Sequence, residues 1–208
     1  MSNTLNCYIL EGTWWNYREV PQVLPYFQAL AMTHPHLRVS HRSIRTASDI
    51  EFWVKKIRKG ERAFLYFACH GYKLDLYPIG ERHPIRNAEL LEALGAAKPY
   101  SIDYIHFGCC QMIRRMRKDE SLTSYLNATG AIWASGYSKM VDWFQGTLLD
   151  LALISELAIP MHLDSKDRYV KPSYRGKRFT TDYNLQSKRL GFAGGYINSD
   201  GQLRIFPE

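Results

Sequence analysis

His70, Cys109 and Cys110 are the side chains best suited to covalent chemistry, and they stand in a pattern that occurs twice. The run from Leu65 to Gly71 reads Leu, Tyr, Phe, Ala, Cys, His, Gly, and the run from Ile105 to Gln111 reads Ile, His, Phe, Gly, Cys, Cys, Gln. Each is apolar and β-rich, then places Phe, a small residue and Cys. The next position holds His70 in the first copy and Cys110 in the second. If the two runs are neighbouring parallel strands, that register sets an imidazole beside a thiol at the C-terminal edge of a sheet. A thiolate is the attacking species in cysteine chemistry, and an imidazole that titrates near neutrality is suited to take its proton. The register favours Cys110 as nucleophile, with Cys109 as a buried partner of Cys69. A strand ending one residue earlier would give the role to Cys109.

The elements that must position these groups are legible in the hydrophobic pattern. Cys7 to Leu10 reads as a first strand, and Pro21 to Met32 has helical spacing ended by His34 and Pro35. Leu37 to Ile44 alternates with period two, a second strand. Ser48 and Glu51 have the spacing of a capping box, and Ile50, Trp53, Val54 and Ile57 form one apolar helix face closed by Gly60. Ala63 to Ala68 is near-continuously apolar, as a strand buried on both faces of a parallel sheet must be. Tyr72 to Ile79 alternates and predicts a short β-excursion. Asn87 opens a helix that Gly95 ends. Tyr104 to Gly108 is a fourth strand, Leu122 to Leu126 a helix, Ala131 to Ser135 a fifth strand, and Trp143 to about Ala158 a long helix. In the last quarter, Thr181 to Leu190 reads as helix, with strands at Phe192 to Asn198 and Gln202 to Phe206. Strands alternating with helices predict right-handed crossovers and an α/β sandwich around a mostly parallel sheet of about six strands. Sites in such sheets lie outside the carboxyl ends of the strands, where His70 and Cys110 fall.

At 208 residues the chain fits one domain, 1–208, with a substantial core. No apolar run approaches the ~20 residues that span a bilayer, and the stretch Gly146 to Pro160, with Asp150 and Glu156, reads as a buried helix. The N-terminus lacks a basic and then apolar leader, and Cys7, Cys69, Cys109 and Cys110 read as reduced thiols rather than a disulfide framework. The expectation is a cytoplasmic protein with no membrane partner. A net charge of +7 concentrates in Lys55, Lys56, Arg58 and Lys59 and in Arg114, Arg115, Arg117 and Lys118. These read as a solvated helix face and a charged loop, and no nucleic-acid-reading motif accompanies them.

The order His then Cys, each just past a buried strand and with Gly71 directly after the His, resembles the caspase-like cysteine peptidases. Within them it is most similar to the bacterial domains related to separase, often called CHAT domains. The likeness extends through Asn127 to Tyr137, Ser138 to Asp142 and the helix opened by Trp143 and Phe144. It covers roughly residues 5–160. The resemblance implies a caspase-like fold and a bacterial endopeptidase, with Cys110 as nucleophile and His70 as acid–base. It also implies that the backbone N–H groups of Gly71 and Cys110 cradle the oxyanion, that no cofactor or metal takes part, and that the substrate is a peptide or protein. An activating protein partner and a role in stress or defence are further implications of the same kind. The residues after the nucleophile, Gln111, Met112 and Ile113, depart from the Gly or Ser-Gly of many relatives. Gly108 stands where many metacaspase-like enzymes place an Asp for a basic side chain. Asp142 and Asp75 are candidate pocket acids, Tyr137 and Ser138 stand where the groove wall is expected, and Trp143 reads as groove or core.

Three other readings stay open on the sequence. Cys69, His70, Cys109 and Cys110 are a conceivable zinc set, though adjacent cysteines fit tetrahedral geometry poorly. A caspase-like binding module with an idle dyad is a second, and a basic nucleic-acid-binding protein a third. His106, inside a strand, reads as a packing or hydrogen-bonding residue, and His34, His36, His41, His83 and His162 as loop or surface residues.

Overall fold

Two strand runs with no polar interruption can only be satisfied in the middle of a sheet covered on both faces, and that is where the chain puts them. The computed structural model describes residues 4–14, 22–79, 83–114, 120–160 and 171–207. Arg115, Arg117, Lys118 and His162 lie outside these. The main sheet has seven strands: β1 (Leu5–Glu11), β2 (Leu37–Ser43), β3 (Ala63–Ala68), β6 (Ile102–Phe107), β7 (Trp133–Tyr137), β8 (Phe192–Ile197) and β9 (Leu203–Phe206), in the order β2-β1-β3-β6-β7-β8-β9. The first five run parallel, and β8 and β9 join antiparallel. β4 (His70–Tyr72) and β5 (Asp75–Tyr77) form a short antiparallel hairpin, which starts two residues before the β-excursion expected at Tyr72 to Ile79.

Among the described residues, seven α-helices flank the sheet: α1 (Leu24–Thr33), α2 (Ala47–Lys56), α3 (Asn87–Gly95), α4 (Glu120–Thr129), α5 (Trp143–Leu153), α6 (Pro172–Asp182) and α7 (Asn184–Leu190). One face packs α2, α3 and α4 through Ile50, Val54, Leu90, Leu94, Leu122 and Tyr125. The other packs α1, α5, α6 and α7 through Phe27, Leu149, Leu153, Phe179 and Leu190. This is the three-layer caspase-like architecture, with one strand more than expected. Because β1 leads outward to β2 and β3 leads the other way to β6, the sheet has its topological switch point between β1 and β3.

Local chemistry shifts some boundaries. The cap of α2 is Thr46 rather than Ser48: its hydroxyl accepts from Asp49 N at 3.3 Å, while the Asp49 carboxylate accepts from Thr46 N at 2.9 Å and Arg45 N at 2.8 Å. The carboxylate of Asp49 reaches two amides at once, so the helix starts at Ala47; it ends at Lys56, where Ile57 turns extended, rather than running to Gly60. The helix from Trp143 passes into a π turn, Ile154–Ala158. The segment before residue 181, too polar for an apolar stripe, forms α6 behind a first-turn Pro172. His41 is not a surface residue: Nε2 lies 2.6 Å from the buried Glu11 carboxylate.

Candidate active site

The register read from the two repeated runs is the register of the sheet. Leu65, Tyr66 and Phe67 pair with Ile105, His106 and Phe107, and Gly108 N donates to Phe67 O at 2.9 Å. Beyond the paired residues, the thiols of Cys69 and Cys109 sit 3.7 Å apart, buried on the α2–α4 face with Phe67 and Phe107. Side chains alternate along a strand, so the following residues, His70 and Cys110, turn toward the opposite face and the α1–α5 layer. Both are partly exposed, whereas Cys109 is sealed at 1% exposure.

Gly71 shows how tightly the two strand ends meet. A Cβ added there would lie 2.3 Å from the Cys110 carbonyl oxygen and 3.1 Å from Cys109 Cβ. Glycine is required because the protein's own backbone fills the space, a closer constraint than the approach of a substrate carbonyl. In the hairpin, Leu76 exchanges both of its backbone bonds with Ile85, at 3.0 and 2.8 Å. Gly71, opposite Leu76, therefore presents its own N–H away from β5.

Two loops complete the site. The first follows β1: His70 Nε2 hydrogen-bonds the backbone carbonyl of Trp14, and the Trp14 indole lies edge-on to the imidazole with centroids 5.5 Å apart. A carbonyl only accepts, so Nε2 carries the proton in the neutral ring and Nδ1 is the basic nitrogen. Glu11 holds this loop, accepting from Trp14 Nε1 at 2.8 Å and Val23 N at 3.0 Å besides its contact with His41. The second loop joins β7 to α5. Val141 N donates to Cys110 Sγ at 3.2 Å, the thiol lies 3.7 Å from Val141 O, and Gln111 N donates to Lys139 O at 3.2 Å. Trp143 stacks edge-on to Trp14 with centroids 6.2 Å apart, so the loops meet over the site.

Burial pushes the Cys110 thiol above its ordinary pKa, and the Val141 N–H on the sulfur acts against that rise. Burial, then the Cys69 contact, pushes Cys109 much further up. Cys110 is thus the more acidic and the more accessible of the adjacent pair. Among the described residues, no group of three or more His, Cys, Asp or Glu side chains is placed to hold a metal ion. Cys69 and Cys109 point to one face and Cys110 to the other, which leaves the zinc arrangement without a ligand set.

The expected groove residues need correction. Tyr137 has 0% exposure, and its hydroxyl is consumed by Asp150 and by Gly146 O at 3.2 Å, so it supports the loop from below. Ser138 donates from Oγ and N to Gly191 O at 2.9 and 2.8 Å, tying the loop to β8. Asp142 caps α5 through Gln145 N at 2.9 Å, and Asp75 is held by Arg86 Nη1 at 2.8 Å and Asn87 N at 2.9 Å. Both carboxylates already have structural work, and neither is an unengaged pocket acid. Trp143 sits at the rim, packed against the core on one side and Trp14 on the other.

Missing from the sequence reading are Trp14, Val141 and Asp150. The first two act through backbone groups and leave no side-chain signature. Their only sequence signal is position, after the strand adjoining β3 and before the helix that covers the site. Asp150 is buried beneath: it accepts from Tyr66 Oη at 2.7 Å and from Tyr137 Oη, and lies 2.7 Å from His106 Nε2, whose Nδ1 lies 2.7 Å from Ser135 Oγ.

No protein-family profile and no curated protein matches the chain. Solved structures do. A secreted C11 cysteine protease from Bacteroides thetaiotaomicron, determined with an irreversible peptide inhibitor, superposes with a TM-score of 0.51 and 12% identity, covering 96% of this chain and 67% of that one. The likeness is one of fold. Raptor from Chaetomium thermophilum aligns at a TM-score of 0.39 and 10% identity over 83% of this chain and 20% of that one, too distant to carry an argument. The chain has the caspase-like fold that the resemblance implied, and among the described residues no helix is long and apolar enough to cross a membrane.

Proposed function

We propose that the protein is a cysteine endopeptidase in which Cys110 attacks a peptide carbonyl and His70 moves the proton. The observation that supports this reading is the packing of Gly71 against the Cys110 carbonyl oxygen, 2.3 Å from an added Cβ, which sets the strand ends that bear His70 and Cys110 side by side. The fold shared with a cysteine protease supports it, as does the anchoring of His70 Nε2 on the Trp14 carbonyl.

In this reading the resting thiol is protonated, because burial disfavours the thiolate. Attack and proton transfer then go together: the Sγ proton passes to His70 Nδ1 as sulfur bonds to the scissile carbonyl carbon. The oxyanion is cradled by the N–H groups of Gly71 and Cys110, donors of a kind whose loss costs about 10²–10³ in rate. His70 returns the proton to the departing amine, and water, deprotonated by the same nitrogen, hydrolyses the thioester. With Asp142 and Asp75 engaged in structure, the account assigns no acidic residue to a basic substrate side chain. Membership of the bacterial CHAT group and an activating protein partner are proposed from the sequence motifs, and work in the cytoplasm from the cysteine usage and N-terminal composition.

The test is cleavage of a mixed peptide library by the wild-type chain, Cys110→Ala and His70→Ala. The account requires turnover that Cys110→Ala abolishes and His70→Ala lowers by about 10²–10⁴. Turnover that survives in Cys110→Ala overturns it, and no turnover by a folded wild type points to a binding module.

A further inference from the structure

At the far side of the sheet from Cys110, a second concave site has no part in the chemistry above. Between the outer strand β2, its neighbour β1 and the end of α2 lies a cleft of about 610 Å³. Arg38 and Arg42 from β2, Lys56 from α2, and Arg58 and Lys59 from the loop after it line this cleft, with Glu61 as its one carboxylate.

Glu61 offsets only one of these five charges. One of its oxygens takes the Tyr8 hydroxyl and the other takes Arg58 N at 2.9 Å, so it pins the loop. No described carboxylate forms an ion pair with any of the five cations, whereas Arg62 pairs with Asp103 at 2.7 Å and Arg86 with Asp75 at 2.8 Å. The contrast is sharpest on α2, where Lys55 pairs with Glu51 along the helix while its neighbour Lys56, its ammonium 5.1 Å over the Phe52 ring, lines the cleft with no described carboxylate beside it. Like charges gathered in a concavity repel one another, and a bound polyanion relieves that repulsion. The wall also carries a planar surface. The Arg42 guanidinium lies 4.9 Å over the Trp53 ring and is steadied by a bond from Nη1 to His41 O at 2.7 Å. A flat stack of this kind beside a cationic cluster suits a heteroaromatic ring attached to phosphates. The volume falls in the range of small-ligand sites, about 300–1,000 Å³.

We propose that this cleft binds a free nucleotide carrying two or more phosphates, the phosphates on Arg38, Lys56, Arg58 and Lys59 and the base against the Arg42–Trp53 stack. It is a site separate from the thiol and independent of the peptidase reading.

The experiment is titration of the whole chain with ATP, GTP, inorganic triphosphate and a ten-nucleotide single strand, by calorimetry at two salt concentrations. One nucleoside triphosphate is expected to bind about tenfold or more tightly than inorganic triphosphate, the margin that stacking one base supplies. Its affinity should fall as salt rises. The double variant Arg38→Glu, Lys59→Glu should lose about tenfold or more in affinity while Cys110 keeps its alkylation rate, which reports an intact fold. Trp53→Leu should bind inorganic triphosphate as before and lose the preference for a base. The proposal is overturned by no binding at millimolar nucleotide, by equal binding of inorganic triphosphate, by unchanged binding in the double variant, or by a single strand that binds when the mononucleotide does not.

Discussion

Adjacent cysteines with opposite fates are the sharpest consequence of strand alternation. Cys109 faces the sealed layer against Cys69, and Cys110 is partly exposed with Val141 N–H on its sulfur. Iodoacetamide should therefore modify Cys110 in the native chain; mass spectrometry should find labelling lost in Cys110→Ala and retained in Cys109→Ala. The pH dependence has a definite sign. A pKa raised by burial keeps Cys110 protonated at pH 7, so its alkylation rate should go on climbing beyond about pH 8.5, where an ordinary thiol is half ionised. A plateau already reached near pH 7 would mean a preformed thiolate–imidazolium pair and contradict the neutral resting dyad. At Gly71, Ala must displace the Cys110 backbone. Gly71→Ala should cost about 1–3 kcal/mol in denaturant unfolding, the range for overpacking, and should lower turnover more than stability alone explains.

The elements around the cleft are held by loops in conformations their residues disfavour. The β4–β5 turn places Lys73 at φ 51° and Leu74 at φ 77°, and Gln111, directly after Cys110, sits at φ 53°. Leu74 N donates to Gln111 O at 3.1 Å, so the hairpin turn and the nucleophile loop brace each other. Asn tolerates the left-handed region better than Lys. Lys73→Asn should therefore raise the thermal midpoint by a few degrees, about 0.5–1 kcal/mol, and leave Cys110 labelling unchanged. At this scale the sequence was legible wherever side chains alternate. The matching of Phe67 to Phe107 followed from apolar runs that had to be central, and β4–β5 followed from its period of two. The Trp14 carbonyl and the Val141 amide were invisible, because every residue carries those groups and only topology aims them. Thr46 displaced Ser48 as cap because Asp49, three residues on, could reach two amides, a choice between two overlapping patterns that spacing alone does not make. Tyr137 was misplaced for a related reason: the strand lies two residues further along than Ala131 to Ser135, so Tyr137 falls inside it with its phenol buried.

Across the whole molecule, one sheet extends from residue 5 to residue 206 and puts its switch point where β1 and β3 diverge. That placement lets the loop after β1 reach His70, and the antiparallel β8 and β9 close the other edge. Asp150 joins the layers by binding Tyr66 of β3 and Tyr137 of β7 beside His106 of β6, all buried. Asp150→Ala leaves these donors without their acceptor and should cost about 3–5 kcal/mol, read as a lower denaturant midpoint. The central claim is that His70 and Cys110 act on substrate in one cleft. Its most direct test is reaction of the chain with a pool of peptides that vary at the residue before a thiol-reactive ketone, with the adduct located by mass spectrometry. The account predicts a single adduct on Cys110 that forms much more slowly in His70→Ala. An adduct on Cys109, or one on Cys110 whose rate ignores both His70 and the peptide, would contradict it.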